Sequence, residues 1–322
     1  MTPADLSRTV LHAVCRAVED GVLQAPVPAS VSVERPRPGG RGDYATNVAL
    51  RLAGPAGQQP RAVAEILRDR VDKDPGIERV EITGPGFLNF TLRPDAESSL
   101  VRAVRARGAQ YGHGTALDGV RVTFAPGDEP RVRVLTHTVV QLLRTQGAVA
   151  DIQADAHQTL RAVPATGQDP IQQYGSDAGR WALLSAAAHD RPRDAAAFLV
   201  QRESNPLFKV RYAFSRTHAL TRAAAQLGLS PAPEIPADAP DLTAAIGDYP
   251  AVLLAAARHR APDRLARHLD LTADAFLAFQ PSVLPSGKPM AAHRARLALA
   301  EAAGTVLAGG LSLLGISAPE YL

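Results

Sequence analysis

Lys209, Tyr212 and Arg216 recur at helical spacing, and together they could act on a nucleic acid. A cationic side chain meets phosphates, and a tyrosine ring stacks on an unpaired base. Basic residues on a helix flank also serve as a plain solvated face, so this stripe needs support from the rest of the chain. Other chemistries find less. The single cysteine, Cys15, lies in an apolar helical pattern that reads as a buried thiol and excludes an internal disulfide. The nine histidines are scattered, and His259 and His268 are too far apart to share a ligand face on one helical turn. No metal site is expected. There is no Gly-x-x-x-x-Gly-Lys loop and no His-Glu-x-x-His, and His137, a lone imidazole, reads as a helix-surface residue. No cofactor is expected.

The stripe belongs to a helix that opens at Asn205-Pro206, an N-cap followed by proline at the first helical position. Leu207, Val210, Phe214, Thr217 and Thr221 share one face as a core stripe, with Lys209, Tyr212 and Arg216 on an adjacent one. From Asp177 onward the pattern is helical, broken by the Pro-rich loop 230–240 and the Pro/Gly segment 281–289. That predicts an all-α bundle. Before it, Val120 to Phe124, a helix through Val134, Val139, Leu142 and Leu143, and Val149 to Ile152 form one short β-α-β unit. Such a unit cannot cover both faces of its sheet and must lean on a neighbour. Residues 156–174 read as a linker.

The N-terminal part reads as α+β. A helix runs through Leu6, Val10, Val14 and Val18, followed by a Pro/Gly-rich turn region from Arg35 to Gly42. A second helix is predicted through Tyr44, Val48, Ala49 and Leu52, and a third through Val63, Ile66, Leu67 and Val71 between Pro60 and Pro75. Alternation in 80–83 and 87–92 around Gly84-Pro85-Gly86 predicts two half-buried strands. The fold class is thus an α+β N-terminal domain (1–112), a short βαβ remnant with linker (113–174) and an all-α C-terminal helical bundle (175–322).

A chain of 322 residues with 46% hydrophobic and 21% charged residues has room for two or three cores and is not disordered throughout. Lysine occurs only at Lys73, Lys209 and Lys288, so arginine, the residue suited to phosphate and base contacts, carries almost all the positive charge. The net charge of +3 decides nothing, because a GC-rich coding sequence raises arginine, alanine, glycine and proline together. The N-terminus lacks a basic segment followed by an apolar core, and no run of 18 apolar residues occurs. A cytoplasmic location without membrane partners is expected.

Two groups of motifs carry a family resemblance. Asp177-Ala178-Gly179-Arg180-Trp181-Ala182-Leu183-Leu184-Ser185 and the segment from Ser204 to Arg216 resemble the opening of the DALR anticodon-binding domain of arginyl-tRNA synthetases, and 262–269, 295–301 and 313–320 resemble its second half. Gly42-Asp43-Tyr44-Ala45-Thr46-Asn47-Val48-Ala49 and Gly84-Pro85-Gly86-Phe87-Leu88-Asn89-Phe90 are similar to the hallmarks of that family's additional N-terminal domain. The resemblance implies contacts to the D-loop side of tRNA from Asp43, Tyr44, Asn47, Phe87, Asn89 and Phe90. It implies contacts near the anticodon from Arg180, Lys209, Arg211, Tyr212 and Arg216. Alternatively, Tyr44, Phe87, Phe90 and Trp181 are core aromatics, Asp43 caps the following helix, and Arg180 pairs with a carboxylate.

The middle of the chain departs from the family. Where its HIGH motif would fall stands Gly127-Asp128-Glu129-Pro130, and Lys288, in Ser286-Gly287-Lys288-Pro289, lies within the helical domain and cannot replace the mobile-loop lysine. Amino-acid activation needs positive and donor groups against ATP phosphates, and two carboxylates have the wrong sign. The DALR box reads Asp-Ala-Gly-Arg, Arg211 and Phe214 stand for the family's Gln and His, and the chain ends Pro319-Glu320-Tyr321-Leu322. The expectation is a noncatalytic arginyl-tRNA synthetase-like protein that binds tRNA, an arginine tRNA being the first candidate. The alternatives are a regulatory or scaffold protein whose former tRNA surfaces bind a protein partner, and a tRNA-presenting subunit for a separate enzyme. A continuous patch of Arg180, Lys209, Arg211, Arg216 and Arg222 would favour RNA.

Overall fold

The computed structural model describes residues 3–36, 41–74, 76–93, 96–285 and 290–322. Residues 37–40 of the expected turn region, Pro75, and the Ser286 to Pro289 segment with Lys288 lie outside the described residues. The chain divides into two compact units, residues 1–100 and 101–322.

In the first unit, helix α1 (Pro3–Glu19) precedes strand β1 (Tyr44–Thr46), helices α2 (Val48–Ala56) and α3 (Pro60–Val71), and strands β2 (Ile77–Thr83) and β3 (Phe87–Leu92). The sheet order is β1-β3-β2, antiparallel throughout. Leu6, Val10, Val14, Leu52, Val63 and Leu67 from the helices enclose Leu88 and Phe90 from the central strand. One expectation is corrected. Tyr44 stands on β1 and not on the helix with Val48, because Tyr44, Ala45 and Thr46 pair with Phe90, Asn89 and Leu88, and the helix begins only after Asn47.

Helix α4 (Ala96–Arg107), unread in the sequence, leads from one unit into the other. The second unit continues with a 3-10 turn (Gly108–Gln110), strand β4 (Arg121–Phe124), helix α5 (Pro130–Arg144) and strand β5 (Val149–Ile152), parallel to β4. Then come α6 (Pro170–Tyr174), α7 (Ser176–Leu184), a 3-10 turn (Ala195–Leu199), α8 (Pro206–Gln226), α9 (Pro240–His259), α10 (Pro262–Phe279), a 3-10 turn (Gln280–Ser282) and α11 (Ala291–Leu314). The expected linker is partly built: Gln158 bridges to Phe124 beside β4, and Asp169 caps α6 by accepting from the Ile171 N–H at 2.9 Å.

The βαβ segment packs within the helical unit. Helix α5 lies between β5 on one side and α7 and α9 on the other, which is why Val134, Leu135, Val139, Val140, Leu142 and Leu143 are all buried. Arg131, the second residue of α5, is only 1% exposed, and its guanidinium donates to five backbone carbonyls. Nε reaches Leu183 at 3.0 Å, Nη1 reaches Val163 and Asp190 at 2.8 and 2.7 Å, and Nη2 reaches Ala186 and Ala187 at 3.1 and 2.9 Å. All five donors of the guanidinium are thereby satisfied, the condition for burying it.

Helix α11 is long and apolar enough to cross a membrane, with a mean hydropathy of 1.7, yet two thirds of that stretch is buried inside the protein. It packs against α8, α9 and α10.

Candidate nucleic-acid interface

On the first unit, the outer face of the sheet forms a groove lined by Phe87, Asn89, Asn47, Thr46, Arg35 and Arg51 among others. The period of two along β3 turns Leu88 and Phe90 to the core and leaves Phe87 and Asn89 on the other face. Phe87 is 40% exposed, an unusual state for its ring. Asn89 is buried and fixes the hairpin, its Nδ2 donating to Thr83 Oγ1 at 2.7 Å. Asn47, at the start of α2, is exposed and makes no side-chain cap bond to its helix, so its amide is available to the groove.

The remaining three expected D-loop residues take other positions. Tyr44 and Phe90 pair in register, are buried in the core and do not line the groove. Asp43 does not cap the next helix. Its backbone N–H donates to the Phe90 carbonyl at 2.7 Å, and its carboxylate accepts from the Leu92 N–H at 2.8 Å, tying the chain to the end of β3. Gly42 permits this approach: its φ is +77°, and a Cβ there would stand 2.7 Å from the Phe90 carbonyl oxygen. Sequence reading missed Arg51 and Arg35. Arg51 is one helical turn after Asn47, a signal that i,i+4 spacing offered. Arg35 reaches the groove from the far side and lies 5.7 Å from the centroid of the Tyr44 ring, a contact that no local pattern encodes.

On the second unit, Asn205 Oδ1 accepts from the N–H groups of Leu207 and Phe208 at 3.0 and 3.3 Å, so α8 starts where its cap predicts. Tyr212 is 36% exposed and stacks on Phe208 with ring centroids 5.6 Å apart. The cations around it are engaged by their own chain. Lys209 Nζ sits between Asp270 at 2.9 Å and Asp274 at 2.7 Å. Burial alone would lower its pKa, but the bonds to the two carboxylates outweigh it and the ammonium is held above its ordinary value. Arg211 Nη2 donates to Ser317 Oγ at 3.1 Å and lies 3.5 Å from Asp177. Arg216 Nε donates to Gln280 Oε1 at 3.3 Å, and Arg222 lies over the Tyr321 ring at 4.3 Å.

The Asp-Ala-Gly-Arg box acts as a clasp. The Asp177 carboxylate accepts from both the backbone N–H and the hydroxyl of Ser317, and Arg180 Nη1 donates to the Leu314 carbonyl at the end of α11. Arg180 therefore meets a helix C-terminus and not a carboxylate, a favourable place for a cation. Gly179 is required by packing, since a Cβ there would stand 2.7 Å from the backbone of Ile171 in α6. Trp181 is a core residue, and Cys15 is half-buried. His137 is exposed, as expected, and burial together with Arg180 and Arg133 lowers its pKa.

At the start of α5, Glu129 Oε2 accepts from the Val132 N–H at 2.9 Å and Oε1 from the Ala165 N–H at 3.0 Å. The chain's own carboxylate thus occupies the helix N-terminus, the place where phosphates bind in nucleotide sites. Among the described residues, no group of three histidine, cysteine or carboxylate side chains could hold a metal ion.

Residues 6–92 match the arginyl tRNA synthetase N terminal domain, and residues 210–322 match the DALR anticodon binding domain. An arginine-tRNA ligase of Frankia alni is 52% identical over 124 residues, which is 38% of this chain and 22% of that protein. One of Renibacterium salmoninarum is 44% identical over 161 residues, 46% of this chain and 29% of that protein. The matches thus span between a fifth and a third of the length of these relatives. Among solved structures, the Thermus thermophilus arginyl-tRNA synthetase has a TM-score of 0.70 at 14% identity, covering 100% of both chains. Arginyl-tRNA synthetase from Plasmodium falciparum has a TM-score of 0.65 at 8% identity, covering 99% of both chains. These structural likenesses show a shared fold.

Proposed function

The chain is homologous to arginine-tRNA ligase and carries its N-terminal and DALR anticodon-binding domains; on that premise we propose that it is a noncatalytic, cytoplasmic tRNA-binding protein. The observation that carries this reading is the groove on the first unit, where an exposed Phe87 ring, the Asn47 and Asn89 amides and two arginines, Arg35 and Arg51, come together. That set is what an unstacked base and its phosphates need: an aromatic platform, amide edges and cations. Tyr212 offers a second platform on the other unit. The absence of aminoacylation is supported by Glu129, whose carboxylate fills the helix N-terminus where the resemblance puts the HIGH motif.

The test is recovery of RNA on the purified chain at near-physiological salt, sequencing of what is bound, and a salt titration with Phe87→Ala and Arg51→Ala. Enrichment of one or a few tRNAs is expected. Phe87→Ala should cost about 1–3 kcal/mol of affinity, and Arg51→Ala should lower the salt slope by about 1. Unselective binding that vanishes with modest salt and ignores Phe87→Ala would reject the reading.

A second reading is favoured by one observation: Lys209, Arg211, Arg216 and Arg222 are each held by their own chain and do not stand as free cations. On that reading the helical unit docks a protein, as a regulator, a scaffold or a tRNA-presenting subunit. The two readings separate in the same experiment through Tyr212→Ala, which lowers tRNA affinity only if the anticodon face is used.

A further inference from the structure

We propose that a groove between α8 and α11 in the second unit binds a small organic cation, an alkylammonium or alkylguanidinium whose charged head meets Glu301 and whose aliphatic body lies along the two helices. The groove has a volume of about 680 Å³ and is walled by Phe214 and His218 from α8 and by Ala308, Gly309 and Leu313 from α11. The groove takes Phe214 and His218 from α8 and none of Lys209, Tyr212 or Arg216, so the proposal stands whether or not the chain binds tRNA.

Two features of the lining point to an occupant. The small side chains on α11 leave the space open, and at Gly309 a Cβ would come within 3.0 Å of the Tyr249 hydroxyl. Tyr249 lines the groove from α9, is only 2% exposed, and brings its hydroxyl up to Gly309 on α11.

The charge of the occupant follows from the lining. Glu301 is its one carboxylate, and its ion pair with Arg105 is long, 3.8 Å, while Arg105 also donates to the Pro231 carbonyl at 3.4 Å. Burial also raises the Glu301 pKa, despite Arg105, as expected of a carboxylate short of cations. No lysine or arginine lines the groove. The hydroxyls of Thr217, Thr221 and Thr305 already donate to carbonyls of their own helices, at 2.7, 3.1 and 3.2 Å. Burial lowers the pKa of His113 at the rim and so disfavours its cationic form. The lining offers an anion no lysine or arginine, whereas a donor-rich cation finds the Glu301 carboxylate and the Tyr249 oxygen, with Phe214, Ala308 and Leu313 against its methylenes.

Calorimetric titration of the full chain at neutral pH with n-pentylammonium, n-pentanol and pentanoate tests this, because the three share one apolar body. Pentylammonium is expected to saturate one site, with pentanol at least tenfold weaker and pentanoate silent. Glu301→Gln should weaken pentylammonium at least tenfold. Ser312→Arg, at an exposed rim position, should abolish binding while the Trp181 fluorescence of the folded unit is unchanged. Equal binding of amine and alcohol, binding indifferent to Glu301→Gln and Ser312→Arg, or no binding of the amine to the folded chain would overturn the proposal.

Discussion

Arg131→Met removes the guanidinium that joins α5 to the segment around α7 while keeping a side chain of similar length. In the native protein the guanidinium gives its five N–H groups to the carbonyls of Val163, Leu183, Ala186, Ala187 and Asp190, at 2.7 to 3.1 Å. Each hydrogen bond to a charged group contributes about 1.5–3 kcal/mol. Their sum overstates the effect, because burying the guanidinium costs several kcal/mol that methionine avoids. What remains is the cost of leaving buried carbonyls unpaired, and we expect a net loss of about 3–5 kcal/mol. That is a large share of the about 5–15 kcal/mol that holds a typical domain folded. Arg131→Lys should lose less, about 2 kcal/mol, since an ammonium has three donors for five acceptors.

Urea unfolding followed by tryptophan fluorescence measures this cleanly. Trp181 is the single tryptophan and lies buried on α7, in the unit that Arg131 holds together. The midpoint should fall in the order wild type, Arg131→Lys, Arg131→Met, with the slope unchanged. A loss below about 1 kcal/mol for Arg131→Met would show that water replaces the guanidinium without penalty, and would refute the reasoning.

Further outcomes follow from individual contacts. Asn205→Ala removes the α8 cap and two side-chain bonds to the Phe198 and Val200 carbonyls, at 2.9 and 2.7 Å; unfolding titrations should show a loss of about 2 kcal/mol. Gly179→Ala should destabilise by about 1–2 kcal/mol despite the better helix propensity of alanine, because its Cβ meets the Ile171 backbone; a rise in melting temperature would contradict this. His268 is buried, and desolvation lowers its pKa from 6.5 to about 4 despite a backbone bond at Ala245. The unfolded chain therefore binds a proton that the folded chain refuses between these values, so stability is lost as pH falls from 6.5 towards 4, by about 3 kcal/mol in all. His268→Leu should flatten that part of the stability profile.

Local patterns settled most of the elements. The periods of two and 3.6 mark β2, β3, α1, α3 and α8, and Asn205-Pro206 fixes the start of α8 because a cap and an N1 proline act on their immediate neighbours. The motifs around Gly42 and Gly84 also led to the right hairpin and to Phe87, Asn89 and Asn47 in one groove. Tertiary structure decided the rest. Tyr44 has an apolar neighbourhood compatible with a helix, and only pairing with the distant β3 makes it a strand. Asp43 looks like a helix cap in sequence, yet its nearest donor in space is Leu92. Gly179 looks like a weak point until Ile171 is placed against it, and Arg131 looks like a surface cation until five carbonyls from two separate stretches of chain converge on it. Whether Lys209 is free for a phosphate depends on Asp270 and Asp274, which arrive from another helix. Sequence spacing encodes which side chains share a face, because that depends on backbone geometry alone. Which groups those faces then meet depends on chain segments remote in sequence, and only packing brings them together.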